Sequence, residues 1–191
     1  GPGGRIEVLG NRVGLLDGAT LDASGKTGGG TVLVGGDFQG KSPEVQNAQR
    51  TYVAPTARIR ADAIERGDGG KVVVWADDVT RFYGSISARG GANGGDGGNV
   101  EVSGKRSLVF AGLADLRAPN GNVGTLLLDP DDLTITSGGA NAGTNVVCAP
   151  DGCAVPATAG NFTDPATNAA TMPAGTLNAQ LGLGNVNVLA T

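Results

Sequence analysis

Few side chains here could do chemistry, and their types and spacing limit what that chemistry would be. Cys148 and Cys153 bracket Ala149-Pro150-Asp151-Gly152. Proline and glycine between them make a small closed loop feasible. The pair is expected to form a disulfide that clips a surface hairpin, which implies an oxidising compartment. Zinc is not expected, because the chain has no histidine and no second ligand pair. Asp129, Asp131 and Asp132 cluster after a strand-like run. Three carboxylates with nearby carbonyls could hold calcium, a hard cation that takes about six to eight oxygens, and Asp77-Asp78 could lie close by. A solvated turn opened by Asp129-Pro130 is the simpler reading, and no metal is assigned. The run Gly90-Gly91-Ala92-Asn93-Gly94-Gly95-Asp96-Gly97-Gly98 has the composition of calcium-binding β-roll repeats. Those sites need the repeat in tandem, and it occurs once, so it reads as a plain corner.

Asp77, Asp78, Arg81 and Arg89 have the side-chain types of a polysaccharide lyase. Nothing in their spacing fixes a geometry, Lys71 falls at a corner, and histidine, the usual general base near neutral pH, is absent. No catalytic residue and no cofactor are assigned, and the chain is not expected to be an enzyme. Trp75, Phe82 and Tyr83 are the largest side chains in one stretch. Outward-facing rings could stack on sugars, with Lys41 and Arg50 from a nearby irregular segment as polar partners. Trp75 could instead cover the base of that segment. Loops on a rigid scaffold are favoured binding positions.

All these residues must be positioned by a framework that repeats. One phrase is glycine, a polar residue, then alternating apolar residues: Gly4-Arg5-Ile6-Glu7-Val8, Gly30-Thr31-Val32-Leu33-Val34, Gly70-Lys71-Val72-Val73-Val74, Gly98-Asn99-Val100-Glu101-Val102 and Gly124-Thr125-Leu126-Leu127-Leu128. Its steps are 26, 40, 28 and 26 residues. A second phrase ends in alanine: Thr20-Leu21-Asp22-Ala23, Arg58-Ile59-Arg60-Ala61, Ser85-Ile86-Ser87-Ala88 and Asp115-Leu116-Arg117-Ala118. The long step contains residues 41–51, which lack apolar alternation and read as an inserted loop.

A fixed period of this length with period-two alternation predicts short strands separated by glycine-rich corners. Helical solenoids are excluded, because glycine interrupts every i, i+3, i+4 pattern in the first 135 residues. The expected fold is all-β, a parallel β-helix of about five to six coils stacked roughly 4.8 Å apart. Val8, Val34, Val74, Val102 and Leu128 should form one interior ladder. Leu21, Ile59, Ile86 and Leu116 should form another. Ala23, Ala61, Ala88 and Ala118 should fill a crowded turn. An antiparallel sandwich has no reason to repeat in register.

Composition narrows the partners. The 191 residues include 35 glycines, with a net charge of −4. Every Lys and Arg lies at or before Arg117, while Asp129, Asp131, Asp132, Asp151 and Asp164 follow it. The body is nearly neutral and the tail acidic, so neither offers a basic patch for nucleic acid or anionic lipid. No run of 18 apolar residues suggests a membrane helix. Residues 1–3 read as the scar of a cleaved tag. Residues 136–175 lack the period and read as an irregular, disulfide-clipped excursion that could cap one end, with a helical turn near Leu177 and Leu181. Residues 176–191 read as the start of a further coil.

Several phrases resemble the filamentous-haemagglutinin family of two-partner secretion exoproteins. They are Asp17-Gly18-Ala19-Thr20-Leu21-Asp22-Ala23-Ser24-Gly25, Gly35-Gly36-Asp37-Phe38-Gln39-Gly40, Val74-Trp75-Ala76-Asp77, Phe82-Tyr83-Gly84-Ser85-Ile86-Ser87-Ala88-Arg89-Gly90-Gly91 and Thr125-Leu126-Leu127-Leu128-Asp129-Pro130. The resemblance covers residues 4–135, in order. Thr176-Leu177-Asn178-Ala179-Gln180-Leu181 and Asn185-Val186-Asn187-Val188 are similar to the way that family opens its next coil. The resemblance implies a right-handed β-helix, export through an outer-membrane transporter of Gram-negative bacteria, and a secreted or surface-exposed product. The family's secretion domain, with its asparagine-proline signature, is absent; Pro119-Asn120-Gly121 is only a glycine turn. The expected role is therefore a structural shaft segment of an adhesin-like exoprotein, presenting distal binding or toxin regions to a host or neighbouring cell, with scope for end-to-end self-association. A carbohydrate-binding module is the first alternative and a β-helix lyase the second.

Overall fold

The alternating phrases fold as short strands, and the glycine-rich stretches between them turn the chain. In the computed structural model the structure describes residues 1–131, 133–136 and 170–189. Cys148, Cys153 and Asp132 lie outside them. Among the described residues the strands are β1 (Arg5–Val8), β2 (Arg12–Leu15), β3 (Thr20–Asp22), β4 (Thr31–Val34), β5 (Arg50–Val53), β6 (Arg58–Arg60), β7 (Lys71–Ala76) and β8 (Val79–Phe82). They continue as β9 (Ser85–Ser87), β10 (Asn99–Gly104), β11 (Ser107–Phe110), β12 (Leu113–Asp115), β13 (Thr125–Leu128), β14 (Leu133–Thr136), β15 (Ala170–Pro173) and β16 (Asn185–Val188). One helix, α1 (Ala174–Leu181), precedes β16.

Among the described residues every strand pairing is parallel, and the strands stack into three sheets. Sheet A runs β1-β4-β7-β10-β13-β16, sheet B runs β2-β5-β8-β11-β15-β14, and sheet C runs β3-β6-β9-β12. Each of the first four coils gives one strand to each sheet, which is a parallel β-helix. The core lies between the three sheets. Val8, Val34, Val74 and Val102 are mutual register partners, and Leu128 is fully buried one rung further on. In sheet B, Leu15, Val53, Phe82 and Phe110 face inward in register. The rings of Phe82 and Phe110 stack at 5.4 Å and 8°. Two inward hydroxyls are satisfied at the A–B corner: Thr51 Oγ1 donates to Trp75 O (2.6 Å) and Thr80 Oγ1 to Ser103 O (2.7 Å).

From the second coil on, the glycine that opens each coil is required by proximity. A Cβ at Gly70 would lie 2.0 Å from the Gly30 carbonyl oxygen, at Gly98 2.2 Å from that of Gly70, and at Gly124 2.1 Å from that of Gly98. These glycines do not have positive φ. The sequence period therefore records where one coil's backbone sits against the next.

The structure corrects the second ladder. Leu21, Ile59 and Ile86 are register partners, but Ile86 pairs with Ala114, two residues before Leu116. Leu116 instead continues the alanine column. Ala23 N donates to Arg60 O, Ala61 N to Ser87 O, Ala88 N to Asp115 O and Leu116 N to Leu183 O. Ala118 lies beside Gly90. A shift of two keeps the same face of a strand inward, so the apolar pattern cannot reveal it. The larger Leu116 is accommodated by Gly184 on the next rung, where a Cβ would lie 3.0 Å from Leu116 Cβ.

Two boundaries also differ from expectation. Arg50 and Thr51 already belong to β5, so the insertion ends at residue 49. β15 begins at Ala170, inside the stretch expected to be irregular. The chain continues from β13 to β14, but β15 occupies the rung between β11 and β14: Val109 pairs with Thr171, and Thr171 with Thr134. Met172 brings a fully buried side chain into that rung. α1 then covers the end of sheet C, where a fifth strand would otherwise pair with β12.

Candidate functional site

The clearest departure from the repeat is the loop of residues 35–49, which folds back onto the outer face of sheet A. Leu33 and Val73 are register partners on that face, and both are buried although they point away from the coil interior. With Val45 and Trp75 they form a second apolar cluster, against which Leu9 packs. The loop follows this cluster closely. Cβ atoms at Gly36 and Gly40 would lie 2.7 and 2.6 Å from the Trp75 ring, and both residues have positive φ.

Trp75 is 4% exposed. It is therefore not a ligand-facing platform, and that expectation is corrected: the ring is the anchor beneath the loop. Its Nε1–H donates to Asp77 Oδ1 (3.0 Å). Asn47 Nδ2 donates to the same oxygen (3.1 Å) and to Gly40 O (2.8 Å). Backbone bonds from Ala48 N to Gly35 O (2.7 Å) and from Asp77 N to Ala48 O (2.8 Å) close the loop base.

A polar cluster sits at the other end of the loop. Gln39 adopts φ 52°, a left-handed conformation uncommon outside glycine. Its backbone N–H donates to both oxygens of Glu101 (3.2 and 3.0 Å), and its Nε2 donates to Asp129 Oδ2 (2.8 Å). Lys41 Nζ donates to Gln39 Oε1 (2.7 Å). Glu101 is 1% exposed, pairing with Val73 on one side and Leu127 on the other. Burial pushes its carboxyl up to about 7, against the pull of the Gln39 N–H, Ser103 and Lys71, while the Asp129 charge pushes the same way as burial.

At the loop tip, Lys71 Nζ pairs with Asp37 and lies 5.8 Å from the Phe38 ring centroid. Burial pushes the Asp37 carboxyl up. Lys71 and the Phe38 N–H outweigh it, leaving Asp37 below the usual carboxylate range. Phe38 is nearly half exposed.

The remaining sequence candidates are dispersed. Arg50 Nε lies 3.4 Å from Asp78 Oδ2, and Arg106 pairs with the same carboxylate. Arg81 lies in β8 of sheet B, whereas Arg89 follows β9 of sheet C and lies 3.9 Å from Asp115. The four residues considered for a lyase therefore do not converge. Tyr83 is half-buried against the core, its ring 5.9 Å from that of Tyr52. Among the described residues no group of three or more acidic side chains is placed to hold a metal ion. Asp129 is engaged by Gln39, and Asp131 donates its backbone N–H to Lys105 O. Asp96, in the glycine-aspartate run, accepts from the Asn122 backbone N–H (2.8 Å), which is a corner contact between coils.

Glu101 and Gln39 carry no sequence signal that marks them as partners. Glu101 holds the outward position of its phrase, as the exposed Glu7 does in the first coil, and local pattern cannot tell a covered position from an open one. No protein-family model matches the chain, and no curated protein matches it.

Proposed function

We propose that this chain is a structural segment of a secreted or surface-displayed bacterial exoprotein of the adhesin type, with a mechanical and non-catalytic role. The observation that supports this reading is the unbroken register of sheet A, in which six parallel strands from β1 to β16 stack in order. The first four coils are tied to one another by backbone hydrogen bonds in all three sheets, which suits a stiff spacer that holds other regions away from a cell surface. The phrases shared with filamentous haemagglutinins support the same reading and add export by two-partner secretion. The carbohydrate-binding alternative drew on Trp75 as a stacking surface, and the burial of that ring removes its main support.

Single-molecule pulling along the solenoid axis tests the proposal. Coils of this period should peel off one at a time, each releasing about 90 Å of chain. A glycan array run with the same protein should stay blank. Extension without discrete steps, or reproducible binding to a glycan, would overturn the mechanical reading.

A further inference from the structure

We propose that Glu101 is a proton-operated latch for the loop of residues 35–49, holding the loop closed while protonated and loosening it when ionised. The geometry carries the argument. The Glu101 carboxyl lies on the outer face of sheet A between two aliphatic neighbours, Val73 and Leu127, and the loop seals it from water. Its hydrogen-bond partners are the Gln39 backbone N–H, at 3.2 and 3.0 Å, and the Ser103 side chain. The donor from the loop is thus a residue held in a left-handed conformation. An opened loop would move Gln39 away and return the carboxyl to water.

Burial sets the direction, and the charges around the group adjust it. Asp129, just past β13, disfavours ionisation of Glu101, and Lys71 at the start of β7 favours it. From the loop, Lys41 is held on Gln39 Oε1, and Asp37 is paired with Lys71, which diverts much of that ammonium. Burial in a site with little solvent, reinforced by the Asp129 carboxylate, therefore outweighs the pull of Lys71, Ser103 and the Gln39 N–H. Docking the loop favours the neutral acid; undocking favours the carboxylate.

The sign follows from linkage. The closed state keeps its proton up to about pH 7, while an opened, solvated Glu101 would lose it near the ordinary glutamate value. Between those limits the opening equilibrium rises by up to tenfold per pH unit, then levels off. The loop is tightest in mild acid and loosest at and above neutral pH. The inference does not depend on the mechanical role.

Amide hydrogen exchange read by NMR between pH 5 and 8 tests it, with Gln39 in the loop compared with Ile86 in sheet C. The ratio cancels the common pH dependence of exchange chemistry. In the wild-type protein, protection of Gln39 relative to Ile86 should fall several-fold to tenfold per pH unit up to about 7 and then flatten. The indole N–H of Trp75 should follow Gln39. Glu101→Gln should give a flat ratio, and Asp129→Asn should shift the flattening to lower pH. A constant wild-type ratio across this range would overturn the proposal. Should Glu101→Gln fail to fold, the wild-type profile and Asp129→Asn still decide. An Asp129→Asn profile that coincides with the wild type would count against the proposal, because the neighbouring carboxylate would then not be felt by the titrating group.

Discussion

The side-chain amide of Gln180 binds the backbone of Ala114 as a neighbouring strand would. Its Oε1 accepts from Ala114 N–H at 2.8 Å and its Nε2 donates to Ala114 O at 2.6 Å. Ala114 is the central residue of β12, the last strand of sheet C, and Gln180 is fully buried on α1. One amide thus satisfies two edge groups that a further strand would have paired. Gln180→Ala should leave both unsatisfied and cost about 2–4 kcal/mol. Urea unfolding would measure the loss, and faster exchange at the Ala114 amide would localise it. Gln180→Glu supplies the acceptor but no donor, so it should recover only part.

The coil-opening glycines give a paired prediction. Gly70→Ala would press a methyl group into the Gly30 carbonyl, a backbone atom that cannot turn aside. A loss of more than about 3 kcal/mol, or no cooperative unfolding at all, is expected. Gly4→Ala has nothing within 4 Å to meet and should change stability by less than about 0.5 kcal/mol. Equal effects at the two positions would contradict the close-approach account.

Trp75 should act as the loop's anchor. Trp75→Ala removes the ring against which Gly36 and Gly40 pack, together with the Asp77 hydrogen bond. A core-sized loss of about 3–5 kcal/mol is expected. Trypsin offers a local readout, since Lys41 is exposed within the loop. Cleavage there should accelerate in the variant before the remainder of the coil stack is attacked.

Stability should have two limbs in pH. Glu101 is raised in the folded state, so its contribution is fully present below the ordinary glutamate range and is lost as pH rises towards 7. Asp115 runs the other way. Burial raises its carboxyl, but hydrogen bonds to Arg117 and the charges of Arg117 and Arg89 outweigh it, and the net shift is downward. That contribution is present above the ordinary aspartate range and is lost in stronger acid. Urea midpoints measured from pH 3 to 8 should therefore fall at both ends. Glu101→Gln should flatten the upper limb alone.

The solenoid was legible because its glycine phrases mark backbone contacts that recur at every coil, and the valine ladder followed directly from them. Leu116 was misplaced because sequence phrases align by residue type, whereas strands align by hydrogen bonds, and a two-residue slip leaves the inward face unchanged. The role of Trp75 depended on three glycine-permitted bends in a loop some forty residues earlier in the chain. Glu101 depended on the same loop reaching over two further coils. Gln180 was hidden for a different reason: a glutamine standing in for a strand edge has no periodic signal.

The loop between β4 and β5 leaves the register of the ladder unchanged: Val34 still meets Val74, and Val53 still meets Phe82. A coil corner can therefore absorb an insertion without displacing anything above or below it. Along a body whose rungs rise by about 4.8 Å, such a corner is an address at a fixed height and azimuth. Variation can accumulate there while the rest of the chain remains under the strict selection of its stacking contacts. Related molecules built on the same ladder would be expected to differ first at this address.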